Sequence, residues 1–264
     1  MKKKLVVLGA MALLLVTVTQ VFAATIGIDN FNEANQEVCM PITACVSAVS
    51  SSSVATTDAI GGTRDVIVVR TSGTNAVSAK SGDASDYFSY SAGNFTQGTL
   101  EVVWDGDNDP SVLNYTGLGG KDLTNLGTNT GIYFREVYND LAFTIRVELY
   151  TDVNNWSYGL VAIPAAQSGT NFNIPFSSLL QGGSGPASLN NIGAIRLMAG
   201  SGVTALDFSV DYMAADNQVP TAVNLQSFTP AANSTLPVIG FVGFLALAIV
   251  SLGAIIVRRE QKRA

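Results

Sequence analysis

Phe143-Thr144-Ile145-Arg146-Val147-Glu148-Leu149-Tyr150 decides the fold. Apolar Phe143, Ile145, Val147 and Leu149 alternate with Thr144, Arg146 and Glu148. A period of two is that of a strand with one face buried and one face solvated. The same pattern recurs on both sides. Leu206, Phe208, Val210 and Tyr212 alternate with Asp207, Ser209 and Asp211; Leu100, Val102 and Trp104 alternate with Thr99 and Glu101. Residues 65–70 read as a more buried strand. Further strands are expected at 26–31, 76–80, 87–90, 132–137, 156–163, 172–176 and 192–198. Gly, Asn, Asp, Ser and Thr fill the gaps, as at Gly61-Gly62 and Gly182-Gly183-Ser184-Gly185. Between residues 25 and 216 no apolar stripe has helical spacing. About ten strands with regular turn signals predict an all-β domain, a two-sheet antiparallel sandwich. Ser50-Ser51-Ser52-Ser53 reads as a loop or a polar edge strand.

The two ends of the chain read differently. Met1-Lys2-Lys3-Lys4, an apolar run to about residue 18 and the small residues near Ala23 form a secretory signal peptide over residues 1–23. Residues 236–257, LPVIGFVGFLALAIVSLGAIIV, are 22 residues without a charge. As a helix they span roughly 33 Å, against about 30 Å of bilayer hydrocarbon. The basic tail at 258–264 stays inside, so the domain at 25–216 is expected outside on a linker at 217–235. The expected location is therefore the cytoplasmic membrane or surface of a bacterial cell.

The net charge of −6 conceals an asymmetry. Seven of the 14 basic residues flank the two terminal apolar runs, and of the 20 acidic residues only Glu260 does. The part between holds 19 acidic and 7 basic groups, a balance of −12. Such a surface repels nucleic acid and anionic lipid. The chain has no histidine, which removes Ser-His-Asp and Cys-His catalysis and His-ligated zinc. Cys39 and Cys45 lie six residues apart in an exported segment. A disulfide closing a short loop is expected there, with free thiols as the alternative.

The C-terminus resembles the sorting signals of bacterial surface proteins. Leu236-Pro237-Val238-Ile239-Gly240 is similar to the LPxTG box, with Ile239 where that box has threonine. A plain membrane anchor ranks ahead of a cleaved signal. The exported part resembles the galactose-binding-like jelly-roll domains of secreted bacterial proteins. The resemblance rests on Ile28-Asp29-Asn30-Phe31, Gly61-Gly62-Thr63-Arg64-Asp65, Gly117-Leu118-Gly119-Gly120 with Asp122-Leu123-Thr124, Ile174-Pro175-Phe176, and the run from Leu206 to Tyr212. It implies a jelly-roll sandwich, and in some members sugar binding with a structural Ca²⁺ between the first and last strands. On that implication Asp29, Glu33 and Asp211 form one candidate calcium set.

Asp105, Asp107 and Asp109 form a second candidate set. Alternate carboxylates after a strand either converge on Ca²⁺ or make a solvated turn. Trp156 and Tyr158, following Asn154 and Asn155, form a candidate sugar-binding surface, with the ring stacking and the amides hydrogen bonding. Glu101, Glu136 and Glu148 read as polar members of alternating strand faces, which leaves glycoside hydrolysis little to stand on. The leading expectation is a cell-surface-anchored, non-catalytic module that binds carbohydrate or another envelope component. The alternative is a structural or adhesive envelope protein with a protein partner, and a glycan-acting enzyme ranks last.

Overall fold

The computed structural model describes residues 25–40, 50–82 and 86–217. All lie in the first of two compact units, Met1–Gln218. The signal peptide, the membrane helix, the basic tail and, apart from Asn217, the linker lie outside the described residues. Among the described residues no helix is long and apolar enough to cross a membrane. Cys39 is buried and no described cysteine is free, while its expected partner Cys45 also lies outside.

In chain order the described strands are β1 (Ile26–Asp29), β2 (Gln36–Met40), β3 (Ser51–Ala55), β4 (Thr63–Ser72), β5 (Val77–Ser81), β6 (Phe88–Ala92), β7 (Gln97–Trp104), β8 (Gly131–Asn139), β9 (Phe143–Tyr150), β10 (Trp156–Ile163), β11 (Gln167–Pro175), β12 (Leu180–Gln181), β13 (Ala194–Ala199), β14 (Asp207–Val210) and β15 (Tyr212–Asp216). They form two antiparallel sheets. The seven-stranded sheet has the order β12-β10-β9-β13-β7-β4-β3. The eight-stranded sheet has the order β1-β15-β8-β14-β6-β5-β2, with β11 on the other edge of β8. The sandwich predicted by the alternation is thus present, and the serine tract is the edge strand β3.

Alternation sorts the side chains. Phe143, Ile145, Val147 and Leu149 of β9 face inward with Leu100, Val102 and Trp104 of β7 and Ile195 and Leu197 of β13, all at most 5 % exposed. Phe134, Tyr90, Phe208 and Met213 face them from the other sheet. Phe208 stacks on Phe143 at 4.6 Å, and Phe31 lies 6.5 Å from Trp104, so aromatic contacts join the two layers.

One polar network crosses this core. Arg64 of β4 is fully buried. Its Nη1 donates to Asp29 Oδ1 and Oδ2 (3.0 and 3.1 Å), its Nε to Gln36 Oε1 (2.9 Å), and its Nη2 to Ser81 Oγ (2.6 Å) and the Ala34 carbonyl (3.3 Å). Asp29 also accepts the Phe31 N–H (2.9 Å) and the Trp104 indole N–H (2.8 Å). Both carboxylate oxygens are filled. The cation facing Asp29 is the Arg64 guanidinium, carried by the Gly-Gly-Thr-Arg-Asp segment.

Candidate functional site

The outward face of the seven-stranded sheet carries the densest arrangement of polar and aromatic groups. Residues opposite one another in register share a face. Tyr158 pairs with Glu148, Glu148 with Arg196, Arg196 with Val103 and Val103 with Asp65. The next row is Leu160, Arg146, Met198, Glu101 and Ile67. The row on the other side begins with Trp156 and Tyr150.

Glu148 is the hub, with a side chain only 2 % exposed. Its Oε1 accepts from Arg146 Nε (2.7 Å) and Nη2 (2.6 Å). Its Oε2 accepts from Arg196 Nε (2.6 Å) and Nη2, and from the Tyr150 hydroxyl (2.5 Å). Arg196 Nη1 reaches on to Glu101 at 3.4 Å. Burial opposes ionisation of Glu148, but the Tyr150 hydroxyl and the two guanidinium groups outweigh it and hold the carboxyl below its usual range. Burial likewise opposes the charge on Arg196, and Glu148 more than restores it. Burial and the bond to Glu148 push the Tyr150 hydroxyl up.

The guanidinium planes lie on rings. Arg146 sits 4.2 Å over Tyr158 and 5.9 Å from Trp156, and Arg196 lies 5.8 Å from Tyr150. Tyr115, from the loop after β7, meets Tyr150 edge-on at 5.2 Å and closes one end of the face. Leu160 and Leu180, each about half exposed, flank the other. Arg146 and Tyr158 stay partly open to solvent above the closed Glu148 hub.

Trp156 is placed otherwise than the sequence suggests. It stacks on Tyr150 at 5.4 Å on one side. The Gly182-Gly183 backbone also lies against it, so close that a Cβ added at Gly182 would stand 2.1 Å from the indole ring. The loop is tied on by Gly182 N–H to the Trp156 carbonyl (3.0 Å) and Trp156 N–H to the Gly185 carbonyl (3.0 Å). The indole is thus held between Tyr150 and the glycine loop, and Trp156 and Tyr158 are both partly exposed. Asn155 Nδ2 donates to both oxygens of Asp152 (3.1 and 2.9 Å), and the Asn154 carbonyl accepts the Ser184 N–H (2.7 Å). These two residues shape the turn that seats Trp156. The sequence alternation marks Arg146, Glu148 and Glu101 as surface residues. Their meeting with Arg196 depends on the β9-β13-β7 register, which no local pattern encodes.

The acidic loop builds itself a turn. Asp105, 1 % exposed, accepts the N–H groups of Asp107 (3.0 Å) and Asn114 (2.7 Å). Asp109 accepts the Ser111 N–H (3.0 Å) and hydroxyl (2.5 Å). Asp107 accepts the Asn108 N–H (2.7 Å). Glu33 accepts the Thr57 hydroxyl (2.6 Å), and Asp211 stands with Arg135 and Tyr212, apart from Asp29 on Arg64. Among the described residues no three Asp, Glu or Cys side chains are grouped to hold a metal ion. Asp65, 2 % exposed, leaves Oδ1 without a hydrogen bond. Its burial, with Asp105, Asp107 and Asp109 nearby, raises its pKa to about 6.

No protein-family model matches the chain, and no curated protein matches it. Among solved structures it is similar to a family 11 carbohydrate-binding module from Clostridium thermocellum in complex with a β-1,3-1,4-mixed-linked tetrasaccharide, at 16 % identity over 70 % of this chain and 98 % of that one, TM-score 0.32. The family 11 module of the cellulosomal cellulase Lic26A-Cel5E of Clostridium thermocellum is 13 % identical over 73 % and 95 %, TM-score 0.35. TmCBM61 in complex with β-1,4-galactotriose is 7 % identical over 70 % and 90 %, TM-score 0.26. At these identities and scores the likeness carries no weight of its own for fold or ligand.

Proposed function

We propose that the chain is a non-catalytic binding module held at the cell surface by its C-terminal segment, and that the outward face of the seven-stranded sheet binds carbohydrate. The observation that carries this reading is the Arg146–Glu148–Arg196–Glu101 chain of ion pairs with Tyr158 beside it. A sugar ring offers a C–H face and a rim of hydroxyls. The half-exposed Leu160 and Leu180 and the Tyr158 ring suit the first. Arginine donors and Glu101 suit the second, because planar charged groups make directional hydrogen bonds.

The network also fixes these groups before a ligand arrives. Arg146 and Arg196 are each held to Glu148 through two nitrogens, so little side-chain freedom is left to lose on binding. The same clamp makes Glu148 a poor general acid, since a carboxyl held below its usual range keeps no proton near neutrality. That supports binding over glycan cleavage.

The test is a glycan-array screen of the full chain, followed by affinity measurements with Tyr158→Ala and Arg146→Ala. Binding to a defined neutral glycan class, weakened at least about tenfold (~1.4 kcal/mol) by each substitution, supports the reading. A blank array from folded protein would refute it and favour the adhesive alternative.

A further inference from the structure

A second surface lies on the eight-stranded sheet, the opposite side of the sandwich. β14 and β15 run end to end along one edge of β8, with β14 leading to β6 and β15 leading to β1. The junction between them is Asp211. Opposite it on β8 stands Glu136, which adopts φ +50° although the register is kept on both sides, Arg135 with Tyr212 and Tyr138 with Ser209; the bulge lies on the β11 side of β8. Pairing of β11 with β8 shifts register at the same place, and Asn171 Oδ1 accepts the Glu136 N–H at 3.0 Å. A left-handed non-glycine residue inside a strand is strained. Here the bulge turns both Arg135 and Glu136 outward, a use of bulges common beside binding sites.

The junction opens a cavity of about 310 Å³ lined by Thr25, Asn30, Asn32, Arg135, Asp211 and Tyr212. Arg135 lies 5.1 Å over the Tyr212 ring and pairs with Asp216 at 3.1 Å. The Asp211 carboxylate accepts no hydrogen bond from any described residue, and burial together with Glu136 and Asp86 raises its pKa. Tyr87 donates to Glu136 Oε2 at 3.0 Å and meets the partly exposed Tyr138 edge-on at 5.6 Å, beside the cavity.

We propose that this cavity is a second carbohydrate site, distinct from the sheet face, that takes a single neutral pyranose unit. The volume is at the small end of the ~300–1,000 Å³ typical of ligand pockets, which suits one ring and not a chain laid along a groove. Asp211 can accept two neighbouring hydroxyls, Asn30 and Arg135 offer donors, and Asn32, whose amide nitrogen faces the Asn30 and Asp86 carbonyls, offers its oxygen. Asp86, Glu136 and Asp216 repel an anionic sugar, and Arg135 in the wall repels a cationic one.

Saturation-transfer difference NMR on the full chain tests this, with the methyl glycosides of glucose, galactose and mannose at about 10 mM, above a millimolar Kd. Thermal melts confirm that each variant is folded. Transfer from at least one glycoside is expected in Tyr158→Ala, where the sheet face is disabled, and is reduced about tenfold when Asp211→Asn or Asn32→Ala is added to that variant. No transfer from any of the three would overturn the proposal. So would transfer that survives Asp211→Asn and Asn32→Ala but is lost in Tyr158→Ala, since the sugar would then sit on the sheet face. Polysaccharide affinity in the same variants reports on the sheet face independently.

Discussion

Replacing Asp29 by Asn removes one charge from the core and changes almost no volume. Arg64 would then keep its bonds to Gln36, Ser81 and Ala34 but lose its only carboxylate partner among the described residues. A fully buried guanidinium left without its counter-charge costs about 3–5 kcal/mol. That is a large share of a typical total of about 5–15 kcal/mol. Urea unfolding is the assay. With a slope near 2 kcal/mol per molar, the midpoint should fall by about 2 M. Trp104, whose indole N–H donates to Asp29 at 2.8 Å, gives a local fluorescence signal. The double variant Asp29→Asn/Arg64→Met removes both charges and should recover part of the loss. A loss below about 1 kcal/mol for Asp29→Asn would refute the account of the network, because that is the size of an ordinary neutral hydrogen bond. A loss of wild-type stability on chelation of Ca²⁺ that Asp29→Asn abolishes would refute it too, since a metal would then be sharing the Asp29 carboxylate.

Asp65 has a pKa raised to about 6 by burial and the nearby carboxylates, so its contribution to stability is full below about pH 4 and is lost as pH rises through 6. The chain should be more stable at pH 5 than at pH 8 by at most about 1.4 kcal/mol, and Asp65→Asn should flatten that dependence in pH-resolved melts. Gly182→Ala would put a methyl 2.1 Å from the Trp156 ring and should cost about 1–3 kcal/mol, with a red-shifted Trp156 emission. Asp105→Ala leaves the partly buried N–H groups of Asn114 and Asp107 without their acceptor and should cost about 1 kcal/mol, equally with calcium and with chelator. A loss seen only with calcium present would instead show a metal in that loop.

The sequence reveals the sheets more fully than the surfaces. The eight-residue alternation at 143–150 and the run at 156–163 coincide with β9 and β10, because a half-buried strand imposes a period of two that one pass along the chain detects. Residues 206–212 read as one strand and form parts of two, since the break at Asp211 answers the bulge at Glu136 on another strand. β2 is not legible in the sequence because Gln-Glu-Val-Cys-Met has little alternation and owes its place to pairing with β5. The site divides in the same way. Tyr158 is visible as an aromatic in a strand beside an Asn-rich turn. Whether its neighbour Trp156 faces solvent depends on the Gly182-Gly183 backbone some 25 residues later, and the Arg196–Glu148 contact spans 48 residues. Asp29 shows the limit of resemblance: a carboxylate on the first strand reads equally as a calcium ligand or as the partner of an arginine in the core.

The most direct measurement is the affinity of the full chain for its best array glycan, wild type against Tyr158→Ala and Arg146→Ala, with melts alongside. The account predicts a loss of at least about tenfold in each variant with the fold intact. Unchanged affinity in both would contradict it and move binding off the seven-stranded sheet.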